Sequence, residues 1–231
     1  AKIYDKGQLL SEGDLTGGRK NGEWIMYFPD GEIQAKGSYK NDIKVGKWIY
    51  YYENKNIQQI AYYDNFGKAT DTWYWFFDDG DSLAIQKYLG GLGNGIYKQY
   101  NDSGKVVSKG MYLDGLEEGE WFYIFGDVIT KGNFSRGDKT GIWTSKTLDD
   151  VIFFEGEYNL GLPVGKHKYW YKNKKPKKEG KYNGGEQHGI WKYYDELGFL
   201  ILTINYKNGV ETHYNDFKIS PTNQYKPLFE Y

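Results

Sequence analysis

The sequence predicts an all-β protein, an elongated antiparallel meander of tandem β-hairpins with a period near 24 residues. Three observations predict it. A landmark ring returns at Trp24, Trp48, Trp73, Tyr97, Trp121, Trp143, His167 and Trp191, at spacings of 24, 25, 24, 24, 22, 24 and 24. Gly stands two residues before seven of these eight landmarks, with Asp71 the exception. No segment sustains an i, i+3, i+4, i+7 apolar stripe, so helices are not expected.

Each unit divides into two strands. The first is rich in aromatics, as in "KWIYYYE", "TWYWFFD" and "EWFYIFG". The second carries β-branched residues or alternation, as in "EIQAKGSY", "KVVSKGMY" and "VIFFEGEY". Turn residues separate them, at Pro29-Asp30-Gly31, Asp78-Asp79-Gly80 and Asp102-Ser103-Gly104, which is the pattern of a β-hairpin. The Gly before each landmark is expected to leave a turn at positive φ and to give a neighbouring ring room to lie on the backbone. A second set, Gly37, Gly110, Gly132, Gly156 and Gly180, stands two before an aromatic and shares its face.

Alternation places the landmark and the residue three further on (Tyr27, Tyr51, Phe76, Tyr100, Trp170, Tyr194) on opposite faces, so both faces carry rings. The array is expected over residues 1–211, about eight hairpin repeats after a partial N-terminal unit, with 212–231 as a cap or tail. Trp143 with Ser145 and Lys146, His167, and Asp71 depart from the pattern, and less regular repeats are expected there.

Composition excludes several functions. Lys plus Arg total 30 against 31 Asp plus Glu, a formal net charge of -1, so neither general nucleic-acid binding nor a polybasic membrane surface is expected. There is no Cys, hence no disulfide, thiolate site or Cys nucleophile. No apolar run of bilayer length occurs, so no transmembrane segment is expected. Tyr, Phe and Trp number 24, 12 and 8, rings that suit strands half exposed to water. The opening at Ala1 in mid-repeat is what an exported protein relieved of a leader would show, so export or the cell envelope is expected ahead of the cytoplasm.

The stretches "GEWIMYFPDGEIQAKGSY", "GEWFYIFGDVITKGNF" and "GIWKYYDELGFL" resemble the MORN-variant repeat, as in bacterial proteins labelled YwqK-family antitoxins. The resemblance runs over about residues 3–211. It implies an all-β hairpin array that binds protein or envelope components, and it supplies no catalytic residues.

The candidate sites follow. The rings of Trp24, Trp48, Trp73, Trp75, Trp121, Trp191, Tyr50 and Tyr123 are the main candidates for partner or ligand contact, because exposed rings stack on sugars and anchor protein contacts. Packing between repeats competes with that role and is favoured, since every unit repeats the rings. Lys174, Lys175, Lys177 and Lys178 crowd one hairpin, either as a solvated turn that blunts a strand edge or as an anion contact. The three histidines, His167, His188 and His213, are too few and too scattered for a zinc site, and His188 is expected in a connecting turn. "LGGLGNG" precedes a strand rather than a helix and reads as a turn, as does "FFDDGDS".

No catalytic residue, metal or cofactor is expected. The leading reading is a non-enzymatic scaffold for an unidentified protein partner, with an antitoxin-like role implied by the resemblance alone. The alternative is a cell-envelope carbohydrate-binding module that uses its Trp and Tyr rings for a glycan. The oligomeric state is left open.

Overall fold

The computed structural model describes residues 1–218, which form twenty strands and no helix. They fall into two compact units that divide between Trp121 and Phe122. The first holds β1 Lys2–Asp5, β2 Gln8–Thr16, β3 Arg19–Tyr27, β4 Ile33–Lys40, β5 Ile43–Tyr51 and β6 Ile57–Tyr63. It continues with β7 Asp71–Phe76, β8 Ser82–Leu89, β9 Leu92–Tyr100 and β10 Val106–Leu113. Strand β11, Leu116–Phe125, carries the division after Trp121. The second unit holds β12 Val128–Ser135, β13 Asp138–Thr147, β14 Ile152–Asn159, β15 Leu162–Trp170 and β16 Pro176–Asn183. It ends with β17 Glu186–Tyr194, β18 Leu200–Lys207, β19 Val210–Tyr214 and β20 Phe217–Lys218.

Within each unit, successive strands pair antiparallel, from Lys2↔Glu12 at one end to His213↔Lys218 at the other. The predicted hairpin meander is therefore the fold. Pairing continues through β19 and β20, and the last thirteen positions of the expected tail, 219–231, lie outside the described residues.

Two kinds of turn alternate. Five-residue turns close most hairpins, while Lys6–Gly7 and Gly126–Asp127 are two-residue closures. At Phe28–Glu32 the Phe28 amide donates to the Glu32 carbonyl, and the same bond recurs at Tyr52–Asn56, Phe77–Asp81 and Tyr171–Lys175. Two-residue turns join one hairpin to the next, with both residues at positive φ: Asn41–Asp42 (52° and 68°) and Leu160–Gly161 (49° and 78°) are examples. That geometry is the type I′ turn, whose twist matches the flanking strands. Between β6 and β7 a five-residue turn over 64–68 replaces the two-residue one, which accounts for the single spacing of 25.

The glycine two before each landmark sits in a bulge. Gly13 opposes Trp24 while Asp14 opposes Asn21, so Gly22 and Glu23 are extra residues on β3. Gly22 has φ 71°, and Asp71, in the same slot, adopts φ 60°. Its place in the slot keeps the backbone, because Asp tolerates the left-handed region better than most side chains. The expectation of a ring lying over this glycine is corrected: an added Cβ at Gly46, Gly119, Gly141 or Gly189 would meet nothing within 4 Å. The ring lies instead over the second-strand glycine.

Two faces differ sharply. One carries the row of landmark rings: Trp24, Trp48 and Trp121 in the first unit, and Trp143, His167 and Trp191 in the second, are the largest fully buried side chains. On the other, half-buried rings pair with charges, as where the Tyr27 hydroxyl donates to Glu12 at 2.6 Å and Tyr194 to Glu179 at 3.2 Å.

Candidate functional site

The ring face is built from two neighbouring rows that run across the strands. In the first row, small and large residues oppose one another: Gly13, Trp24 and Gly37 in one run, and Gly156, His167 and Gly180 in another. Six landmark rings lie on the glycine of the preceding hairpin, whereas Ala61 and Gln86 take that position before Trp73 and Tyr97. A Cβ added at Gly37 would come within 3.0 Å of Trp48, and those at Gly110, Gly132 and Gly180 would collide likewise with Trp121, Trp143 and Trp191. The close approach brings each ring nitrogen to a backbone carbonyl. Trp24 Nε1 donates to Asp14 O at 3.0 Å, Trp48 to Ser38 O at 3.1 Å and Trp191 to Lys181 O at 3.1 Å. Edge-to-face contacts through Tyr39 (6.1 Å from Trp24, 5.0 Å from Trp48) and Tyr182 (5.1 Å from Trp191) bind one hairpin to the next.

The departures keep this clamp. His167 is 1% exposed, and its Nε2 lies 2.9 Å from the Glu157 carbonyl. A carbonyl only accepts, so Nε2 carries the hydrogen. Burial pushes the imidazole below its ordinary pKa, which favours the neutral ring. Phe154, 5.8 Å from His167 between ring centroids, occupies the position held by Ala35 beside Trp48, so a larger neighbour accompanies the smaller ring. Trp143 is likewise buried, and the hydroxyls of Thr130 and Ser145 meet at 2.8 Å beside it. The irregular repeats expected at Trp143 and His167 are thus corrected, since substitutions there are compensated on the same backbone, whereas the repeat at Asp71 is less regular: β6 and β7 share the pairs Gln59↔Trp75 and Ile60↔Tyr74 and are joined by the longer turn.

These positions change the reading of the candidate rings. Trp24, Trp48, Trp121 and Trp191 are at most 1% exposed with their indole N–H groups bonded, so they offer no surface to a ligand. Lys20 Nζ over Trp24 at 4.3 Å and Lys44 Nζ over Trp48 at 4.4 Å cover two of them. Trp73 is half-buried, with Nε1 donating to Tyr62 O at 2.9 Å. Tyr50, Trp75 and Tyr123 are half-buried too, and Tyr50 and Trp75 stand in the second row.

That second row runs Ser11, Met26, Ala35, Tyr50, Gln59, Trp75, Ala84, Gln99 and Ser108 in the first unit, each opposite the next. In the second it runs Thr130, Ser145, Phe154, Tyr169, Lys178, Tyr193 and Leu202. Two grooves open on it in the first unit, each centred on an alanine between larger neighbours. One, of about 740 Å³, surrounds Ala35 and is lined by Met26, Tyr50, Tyr51, Tyr52, Glu53 and Asp78 among others. The other, of about 530 Å³, surrounds Ala84 and is lined by Trp75, Gln86, Tyr88, Tyr97, Gln99 and Tyr112 among others. In the second unit, Phe154, Lys178 and Leu202 fill the positions equivalent to the alanines.

Sequence reasoning missed the second groove. Its signal was a cluster of departures at one register. Gln86 replaces the clamp glycine and Tyr97 replaces the Trp, while Gly93 stands where Lys44 covers Trp48. Gln86 is 5% exposed, and its Nε2 donates at 2.8 Å to the Lys87 carbonyl, the acceptor an indole at position 97 would have used. The hydrogen bond survives while the volume of the indole is lost.

The lysine hairpin is divided by the strand. Lys177 and Lys178 are successive residues of β16 and fall on opposite faces, with Nζ atoms 5.6 Å over Tyr171 and 4.6 Å over Tyr169. Burial pushes the Lys178 pKa down. Lys174 is in the turn at φ 66°, and Lys175 packs beside Gly198. His188 lies exposed within β17 rather than in the connecting turn, which is Gly184–Gly185. Among the described residues, no group of three or more His, Asp or Glu is placed to hold a metal ion.

Four stretches of the chain, residues 20–41, 44–65, 94–114 and 187–208, match the family described as MORN repeat variant. Those four stretches are similar to MORN-variant repeats. Repeats of this kind are generally scaffolds for protein or membrane interaction. The matched MORN stretches include the register of Tyr97, whose clamp is altered, whereas Trp121, Trp143 and His167 fall outside them and keep the clamp geometry. Nothing matches among curated proteins. A solved structure titled "Crystal Structure of TcdB2-TccC3-Cdc42" aligns with 90% of this chain at 11% identity and a TM-score of 0.20. The chain spans 13% of the length of that structure's chain, and a likeness at this level carries no argument. No described helix is long and apolar enough to cross a membrane.

Proposed function

We propose that the chain is a non-enzymatic scaffold whose second row recognises a protein partner. One observation carries this reading: the two rows of the ring face carry different kinds of residue. The Trp–Gly row repeats nearly unchanged, is buried, and holds hairpins together. The row beside it changes at every step: Ser11, Ala35 and Ser108 are buried, while Met26, Tyr50, Trp75 and Gln99 between them stay half-buried. Residues that hold the ladder are thereby separated from residues free to vary, and variable side chains on a rigid repeat array are how such arrays select partners. Half-buried rings lose little side-chain freedom on binding, which suits them as anchors.

The groove about Ala35 is the favoured contact. It mixes the rings of Tyr50, Tyr51 and Tyr52 and the side chain of Met26 with the carboxylates of Glu53 and Asp78. A partner segment with an apolar anchor flanked by a basic residue complements that lining. An antitoxin-like role, implied by the resemblance to YwqK-family proteins, is the special case in which the partner is a toxin.

The test is capture of a stoichiometric protein from extract of the native cell, followed by titration with the purified partner. Met26→Arg and Tyr50→Ala should each weaken the complex at least tenfold, a loss of about 1.4 kcal/mol, with the strand signal in circular dichroism unchanged. Full affinity in both variants would rule out this groove. A partner chemically transformed on contact would rule out the scaffold reading.

A further inference from the structure

The groove about Ala84 differs from its neighbour in one respect that decides its ligand. Its lining is Trp75, Leu83, Ala84, Gln86, Tyr88, Gly93, Tyr97, Gln99, Tyr112 and Gly115, without one charged side chain in a chain that is 26% charged. Burial pushes the phenols of Tyr88, Tyr97 and Tyr112 above their ordinary range, so they remain neutral donors and acceptors. The rings are braced: Trp75 lies 5.9 Å from Trp73, and Tyr97 stacks at 5.8 Å and 26° on Trp121. Gln99 accepts from the Tyr97 hydroxyl at 3.3 Å, a bond that orients its amide. The strands beneath are paired on both sides, so the groove floor has no free strand edge for a peptide backbone.

We propose that this groove is a binding site for a neutral saccharide. Rigid rings offer flat apolar faces to the C–H side of a sugar ring, and carboxamides and phenols serve its hydroxyls as both donors and acceptors. An anionic sugar would find no cation in the lining, and a charged peptide no counter-charge. The cavity has the size usual for small ligands. The opening is made by the same departures that break the repeat: Ala84 gives depth, Tyr97 gives up the indole's volume, and Gly93 removes the lysine cover seen over Trp48. The site is independent of the protein contact proposed above, since the two grooves share no lining residue.

The experiment is titration of the full chain, followed by tryptophan fluorescence and calorimetry, with neutral cellohexaose, maltohexaose and chitohexaose and with anionic hexagalacturonate. At least one neutral oligomer should bind at concentrations up to about 10 mM. Trp75→Ala and Gln99→Ala should each weaken it about tenfold or more. Gly93→Lys, which places a lysine where Lys44 stands over Trp48, should abolish binding; its φ lies outside the left-handed region, though an added Cβ would meet Gln86 at 3.1 Å. Circular dichroism and thermal midpoints show that each variant is folded, and of the three Gln99→Ala removes no ring and adds no bulk. Absence of binding by all three neutral oligomers, preference for the anionic one, or full affinity in folded Trp75→Ala and Gln99→Ala would each overturn the proposal. Failure here leaves capture of a protein partner through Met26 and Tyr50 untouched, so the two readings fall separately.

Discussion

At the scale of single residues, the stability of this protein rests on a ring nitrogen meeting a carbonyl across a position that has no side chain. His167 tests how strictly the ring is required. It keeps the hydrogen bond of the Trp slot, 2.9 Å to Glu157 O, but it can take up a second proton. Burial holds its folded pKa below the ordinary imidazole value of 6.5. Well above pH 6.5 both folded and unfolded chains hold the neutral ring, and no penalty arises. As the pH falls below that value the unfolded chain binds a proton that the folded chain excludes, so stability declines with a slope of at most about 1.4 kcal/mol per pH unit. His167→Gln keeps an amide donor and removes the titration. Urea midpoints between about pH 7 and 5 should fall less steeply in the variant than in the parent; equal slopes would show that the imidazole does not titrate across this range.

At the scale of the element, the two-residue turns set the hairpin register, and their residues fit them unequally. Asn41–Asp42 and Asn208–Gly209 are residues that tolerate the left-handed region, whereas Leu160 occupies it at φ 49° with its side chain 74% exposed. Its leucine gains nothing from packing to offset the strain. Leu160→Asn creates the Asn-Gly pair that type I′ turns prefer and should stabilise the second unit by about 1 kcal/mol, read as a higher urea midpoint at unchanged slope. No change or a loss would mean that Leu160 makes a favourable contact in solution. Turn chemistry was legible for Pro29-Asp30-Gly31 because its residues are strong punctuators. It was not legible at Leu160, where the repeat register and the following Gly161 impose the turn on an unsuitable side chain.

At the scale of the whole molecule, every pairing within a unit joins strands adjacent in sequence, so each hairpin depends on its neighbours. A lesion should therefore spread only a short way. Gly37→Ala forces a Cβ against Trp48 and should cost about 1–3 kcal/mol locally. Amide exchange in β3, β4 and β5 should accelerate accordingly, while amides of β14 to β18 exchange as before. Equal acceleration in all of these strands would show global cooperativity in place of nearest-neighbour stability. The grooves belong to this scale too. They arise where the second row alternates small and large residues, and such a row becomes visible only once strand register is known.

The sequence by itself determined the two strands of a unit and the hairpin meander, because period and alternation are properties of the chain alone. It also marked the glycine slot that Asp71 fills. Only the tertiary structure decided which rings are available. Trp24, Trp48, Trp121 and Trp191 read as surface candidates until the register placed each on a glycine, with its nitrogen satisfied and its faces covered. Only the tertiary structure, likewise, joined Gln86, Gly93 and Tyr97, whose departures look unrelated along the chain and converge across β8 and β9. The physical reason is that burial is set by what the neighbouring hairpin places across a strand, and that partner is fixed by bulges and turns whose register no single repeat contains.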